Sequence, residues 1–367
     1  MDNRTIHALN VVRGIAALLV VLSHSRSYLF EAFGAEPSGW QEVYLVPTSF
    51  ANEAVAVFFV LSGYLVGGQV VRQMRAGRFS WREYLAKRLS RMWVVLFPAL
   101  VLTLIADSIS RGLFGSKVDL IRSFGDLDPA AAACNAVFLQ WTRCRAYGTN
   151  DALWSLSYEF WYYIFFAGAT VAVFSVAKKA WGQLAVGAGV ALSSVAIFGW
   201  PIFRLIFAWL VGVAVAMIHA RWKASVTPSW VFSRFALVGC LGAAAVGTWA
   251  SAFAIDSYEG RFATVGLAVA PLILVLAAGK RYSGAWVQQV GRSGDWSFSV
   301  YAYHLPILKL LIIAAASLGT IDGVVLVLAV YVLSAVVTAA CVPLWAVTER
   351  RTPVARDALL SLLGSSP

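Results

Sequence analysis

A few residues in this chain pair chemical reactivity with apolar surroundings. Arg13 and His24 fall inside an apolar stretch running from about Leu9 to Phe30. Glu159 follows Trp154-Ser155-Leu156-Ser157-Tyr158 at the start of a second stretch, and His304 and Lys309 lie within a third. Ionisable groups are costly in a hydrocarbon layer and face protein or water there, so each is a functional candidate. The steps from Arg13 to His24, at roughly 100° each, close to within about 20° of the start and rise ~16 Å. Both side chains therefore share one helix face. Lone polar residues also join helices without chemistry, but a cation and an imidazole on one face suit a lined pocket.

Imidazole titrates near neutral pH, and a neighbouring carboxylate fixes its tautomer and raises its basicity. Glu159 lies about two turns into its helix, at ~1.5 Å per residue, and His24 sits at a similar depth from the same side. The pair is a candidate general base. His304 precedes Pro306, which removes a backbone donor. It either binds substrate or bonds a carbonyl so freed, with the structural role slightly favoured. Lys309 has no evident partner. Phe58-Phe59-Val60-Leu61-Ser62-Gly63-Tyr64-Leu65 puts small residues mid-span, which suits close helix packing more than chemistry. The four histidines, His7, His24, His219 and His304, show no metal-ligand spacing. There is no glycine-rich phosphate loop, no nucleophile elbow and no nucleic-acid motif.

The elements that must position these groups are membrane helices. The chain is 60% hydrophobic and 13% charged, whereas soluble domains carry about 25% charged residues. The pattern predicts an all-α polytopic membrane protein with spans at about 9–30, 50–71, 89–108, 153–175, 183–199, 202–219, 233–253, 261–279, 297–318 and 323–347. Trp81, Trp93, Trp154, Trp181, Trp200, Trp249 and Trp296 fall at span ends, as an interfacial belt requires. A net charge of +11 would suggest nucleic acid in a soluble protein. Here the basic residues gather in alternate loops, including Arg72–Arg91, Lys178 with Lys179, Arg221–Arg234, Lys280 with Arg281, and Arg350–Arg356. By the positive-inside rule those loops and both termini are cytoplasmic. The first span is too long for a signal core and contains Arg13, so it is read as uncleaved.

Two loops are large. The 109–152 loop is polar and holds Cys134 and Cys144, which either form a disulfide or remain thiols. The Arg72–Arg91 loop is either a helix lying on anionic lipid headgroups or a cytoplasmic site for a phosphate-bearing ligand. No repeat is evident, and nothing has the composition of a second, soluble domain.

In order along the chain, these blocks resemble the acyltransferase family 3 membrane proteins. The resemblance rests on Arg13 and His24 with ten residues between them, on Phe59-Val60-Leu61-Ser62-Gly63-Tyr64, and on Lys87-Arg88 with Arg91. It continues through Trp154-Ser155-Leu156 with Glu159, Tyr301-Ala302-Tyr303-His304-Leu305-Pro306, and Glu349. It covers residues 5–350 as one transmembrane domain, leaving 351–367 as a short cytoplasmic tail. Pro98 and Pro353 lie further from the basic block and the closing Glu than the family pattern has them. The resemblance implies transfer of an acyl group, commonly acetyl, from cytoplasmic acyl-CoA to a hydroxyl of a carbohydrate or lipid-linked glycan at the bacterial inner membrane. Acyl-CoA is then a donor substrate rather than a resident cofactor. His24, Arg13 and Glu159 become the expected catalytic set, with Arg13, Lys87, Arg88 and Arg91 facing the donor and Trp154, Ser157, Tyr303 and His304 the acceptor. The rival expectation is a transporter or flippase for a lipid-linked sugar, with the intramembrane charges lining its route.

The topology is testable directly. Single cysteines placed in the 72–88 segment should react with an impermeant thiol reagent only from the cytoplasm, and those in the 109–152 loop only from outside. Outer labelling of the basic segment would overturn the charge-based orientation.

Overall fold

The computed structural model describes residues 3–121, 125–224, 234–278 and 285–364; the predicted cytoplasmic Lys280 and Arg281 lie outside them. Among the described residues, ten helices are long and apolar enough to cross a bilayer. They are α1 (Asn3–Ala32), α2 (Ala51–Ser62 and Gly68–Arg75, joined by π-helical Gly63–Gly67), α3 (Trp81–Phe114), α4 (Trp154–Ala177) and α5 (Trp181–Phe198). The remainder are α6 (Ile206–Ala224), α7 (Arg234–Ala254), α8 (Tyr258–Ala278), α9 (Ser297–Leu318) and α10 (Gly323–Val347). No strand forms among the described residues beyond an isolated bridge between Gln140 and Cys144. Each helix falls on a stretch that hydropathy marks, and the chain is an all-α, multi-pass membrane protein.

Helix α3 departs from its predicted bounds. It begins at Trp81 rather than near 89 and runs 34 residues, about 51 Å at 1.5 Å per residue, whereas the hydrocarbon core is only ~30 Å thick. Its basic first turns, with Arg82, Lys87, Arg88 and Arg91, are thus a helical continuation of the span. The expected tail is also structured. Thr352–Leu362 forms a helix that packs on α3, and Arg82 Nη2 donates to the carbonyl of Leu360 at 2.7 Å. That bond satisfies one of the carbonyls a helix end leaves open.

The chain divides into two compact units that interleave in sequence. The first is Met1–Ala16, Asn52–Ser80 and Tyr158–Asp295; the second is Ala17–Ala51, Trp81–Ser157 and Trp296–Pro367. In the first unit α8 packs on α6 and α7, and the π-helical turn of α2 packs on α6. Glycine sets that last approach. A Cβ on Gly63 would lie 1.9 Å from the Trp209 carbonyl oxygen, and one on Gly212 would lie 2.0 Å from that of Val60. The small residues of the Ser62-Gly63 block therefore serve close packing, as predicted. In the second unit α9 packs on α3 and α10.

The contact predicts its own sensitivity. Gly63→Ala should lower the thermal unfolding temperature of the purified protein, because overpacking costs ~1–3 kcal/mol. Gly189→Ala, on α5 with nothing within 4 Å of the added carbon, should be neutral. Equal behaviour of the two variants would show that α2 and α6 do not meet through Gly63.

Candidate active site

The second unit gathers most of the reactive groups around α9. Pro306 has no N–H, so the carbonyl of Ala302 loses its helical partner. Asn150 Nδ2 supplies one at 2.9 Å and also donates to Thr103 Oγ1 on α3 at 3.3 Å. His304 therefore does not serve the carbonyl that the proline frees. Its Nδ1 lies 2.8 Å from the Tyr301 carbonyl and 3.1 Å from that of Val300. Carbonyls only accept, so Nδ1 carries the proton, and in a neutral ring Nε2 is then an acceptor.

That acceptor faces His24. Its Nδ1 lies 2.7 Å from His304 Nε2, with the rings 3° from parallel. The bond runs from His24 Nδ1–H to His304 Nε2. The lone pair of His24 is left on Nε2, which has no hydrogen-bond partner among the described residues. His304 is fully buried and His24 half-buried. The arrangement supplies what a general base needs: a fixed tautomer and an unoccupied basic nitrogen.

This corrects two sequence expectations. The partner of His24 is an imidazole rather than the carboxylate of Glu159. Glu159 lies in the first unit, where its Oε1 accepts from the Tyr163 hydroxyl. Lys309 is also well partnered. Its ammonium donates to the Thr149 carbonyl at 2.8 Å, lies 3.6 Å from Asp151 Oδ1 and sits 4.2 Å from the Tyr28 ring centroid. Tyr28 in turn donates to Asp151 Oδ2 at 3.0 Å, and its ring stands 6.0 Å from that of His24.

The segment Tyr147–Asp151 makes these contacts possible, and the sequence reading treated it only as part of a polar loop. Gly148 has φ +54, and a Cβ there would lie 2.3 Å from Asp107 Oδ2, so the turn requires glycine on both counts. Thr149 donates through its N–H and hydroxyl to buried Asp107, at 2.8 and 2.6 Å. Cys134 and Cys144 are disulfide-bonded. Between them Asn135 donates to the Arg145 carbonyl at 2.9 Å and accepts from the Tyr147 N–H at 3.2 Å. Asp107, Thr149 and Asn150 escaped sequence reading because their partners are remote in the chain. The hint available was Asp107 at the end of the apolar run of α3 that begins after Arg91.

The other expected site residues are engaged elsewhere. Ser157, assigned to substrate, is fully buried and donates to the Phe138 carbonyl at 2.7 Å. That bond fixes the start of α4, where Trp154 is its first residue. Tyr303 donates to Thr348 Oγ1 at 2.9 Å. In the basic block Arg91 lies 3.7 Å from Glu349, Arg88 stands over the Tyr84 ring, and Lys87 pairs with Glu83. Glu349 also accepts from the Ser299 N–H and hydroxyl, at 3.2 and 2.9 Å. Nearby on α3 an apolar groove of about 490 Å³ is lined by Trp93, Phe97, Pro98, Val347 and Val354, with Arg351 among its walls. Arg13 donates to Asn10 Oδ1 at 3.4 Å, and Asn10 donates to Asp295 at 2.9 Å.

A helical membrane bundle that holds two paired imidazoles, one fully buried and one half-buried, belongs to the class of membrane proteins equipped for acid–base chemistry. The comparisons narrow the class. A family model described as an acyltransferase domain matches residues 6–346, and the chain belongs to that family, acyltransferase family 3; it is an acyltransferase. The O-acetyl transferase of Shigella phage Sf6 is 26% identical over 246 residues, covering 62% of this chain and 67% of the relative. No solved structure matches the chain.

Removing the buried cation should be costly. Lys309→Met leaves the Thr149 carbonyl unmet and Asp151 with the Tyr28 hydroxyl alone, and breaking a fully buried pair costs about 3 kcal/mol, an upper figure here because Asp151 is 30% exposed. Thermal unfolding should show the loss, and adding Asp151→Asn should recover part of it. An unchanged unfolding temperature for Lys309→Met would mean that the ammonium does not hold the Tyr147–Asp151 segment.

Proposed function

We propose that the protein moves an acyl group, acetyl in the simplest case, from acyl-CoA to a hydroxyl of a carbohydrate or lipid-linked glycan. In this reading it resides in the bacterial inner membrane with both termini and the basic start of α3 in the cytoplasm. The single observation behind it is the His24–His304 pair, which leaves a bare basic nitrogen in a family of acyltransferases. The name of the phage relative, an O-acetyl transferase, favours an oxygen acceptor and an acetyl group.

A hydroxyl is a poor nucleophile until its proton is taken. His24 Nε2 accepts that proton as the oxygen attacks the thioester carbonyl. The tetrahedral intermediate collapses with cleavage of the C–S bond, and the imidazolium returns the proton to the departing sulfur. The Nδ1–H···Nε2 bond to His304 holds the ring through both transfers and stabilises its positive charge while the proton is carried. CoA is polyanionic, and Lys87, Arg88 and Arg91 in the basic first turns of α3 offer cations to match it; guanidinium groups bind phosphates with two prongs. The release of Glu349 from Arg91 would free that guanidinium for the donor.

The test is turnover at saturating donor in nanodiscs, with folding checked by elution volume and thermal unfolding. His24→Ala should lower turnover by about 10²–10⁴-fold. His304→Ala should lower it less, and His304→Gln should keep part of the rate because its amide oxygen can still accept from His24. Near-normal turnover of His24→Ala would remove it as the base. Replacing Arg88 and Arg91 together with Gln should raise the donor KM and leave the acceptor KM unmoved.

A further inference from the structure

The second unit carries a groove that the reaction above does not use. It starts beside the basic first turns of α3 and follows that helix from Ser90 to Pro98, about 12 Å at 1.5 Å per residue. Its deep end lies in the apolar run of α3 that begins after Arg91. The other walls are the end of α10 and the Thr352–Leu362 helix, which packs on α3. All three belong to one compact unit. On the Thr352–Leu362 helix, Ala355 and Ala358 line the groove. They sit on one helical stripe, and their small side chains leave the volume of about 490 Å³ open.

Polar groups in the wall find partners within the protein. Trp93 Nε1 donates to the Ala136 carbonyl at 3.0 Å, Ser90 to the Lys87 carbonyl at 3.4 Å and Thr348 to the Leu344 carbonyl at 2.6 Å. The interior is therefore apolar surface. Arg351, which follows the last turn of α10, is exposed, and its guanidinium makes no hydrogen bond or ion pair among the described residues. The carboxylates nearest to it in sequence are engaged, Glu349 with Ser299 and Arg91 and Asp357 with Arg356. Phe97, Val347 and Val354 on the rim are themselves exposed. In a membrane-spanning bundle such side chains meet lipid, so the groove is open sideways to the hydrocarbon and an occupant enters without leaving the bilayer. A hydrocarbon chain packs against these walls, and a guanidinium grips a phosphate with two prongs. A choline head group carries its own cation beside the phosphate and gains less from Arg351.

We propose that this groove binds an anionic phospholipid, with one acyl chain between Trp93 and Ala355 and the phosphate on Arg351. The test is native mass spectrometry of the full-length protein in detergent, titrated with dioleoyl phosphatidylglycerol or dioleoyl phosphatidylcholine, with folding checked by elution volume and thermal unfolding. The wild type should hold one phosphatidylglycerol more tightly than phosphatidylcholine. Arg351→Gln should weaken phosphatidylglycerol about tenfold or more, in keeping with the loss of a charge-assisted contact, and leave phosphatidylcholine unmoved. Arg350→Gln, at the exposed neighbour that does not line the groove, should change neither. Ala355→Phe, or the milder Ala358→Leu, should weaken both lipids by filling the groove. Equal phosphatidylglycerol affinity in wild type and Arg351→Gln would overturn the role of the guanidinium. Unchanged binding of both lipids by the two filling variants would overturn the groove as the site. Palmitoyl-CoA, an anionic amphiphile supplied from water, should not displace the bound phosphatidylglycerol at equal concentration. Displacement would make the groove part of the donor site and overturn the phospholipid assignment.

Discussion

Lys309 is a cation whose side chain is 1% exposed, placed in the middle of an apolar helix, and the second unit is built around satisfying it. Moving an ammonium from water to a protein interior costs several kcal/mol even after relaxation, so its partners must be held in advance. They come from one short segment. Thr149 offers its carbonyl and Asp151 its carboxylate, and Tyr28 covers the ammonium with its ring. The same segment reaches Asp107 on α3 and the proline-freed carbonyl on α9. A polar plug of consecutive residues thus fixes α1, α3 and α9 around the imidazole pair.

The consequence for chemistry is that the proposed base is positioned by backbone as much as by side chains. His304 takes its tautomer from the Tyr301 and Val300 carbonyls, and His24 takes its own from His304. An imidazole in the place where many acid–base sites put a carboxylate gives a neutral acceptor, so the pair can carry one added proton as a shared charge rather than as an ion pair. Asn150 keeps α9 intact across Pro306 without drawing His304 away. The disulfide and Asn135 brace the approach to that segment from the loop side.

Much of this was legible in the chain before its folding was known. The ten spans follow from hydropathy, since only helices or closed barrels satisfy the backbone in lipid. His24 and His304 were each marked by the cost of their burial, and Gly63 by the need for close packing. Their pairing was not legible. His24 and His304 are 280 residues apart, and a carboxylate is the more usual partner, so Glu159 drew the assignment. Lys309 read as unpartnered because Thr149 and Asp151 lie in a segment whose polarity marks only a loop. The basic stretch that opens α3 was legible as leaving the hydrocarbon, but not as a continuation of the span, because charge marks the exit from the hydrocarbon and not where the helix begins.

The claim at the centre is the tautomeric state of His24. With only four histidines in the chain, ring-labelled ¹⁵N NMR in nanodiscs, assigned by single His→Gln variants, reads it directly. The expected result is a protonated Nδ1 and bare Nε2 on both His24 and His304, with a through-bond nitrogen–nitrogen coupling between His24 Nδ1 and His304 Nε2. A His24 ring protonated at Nε2 with no such coupling would contradict it.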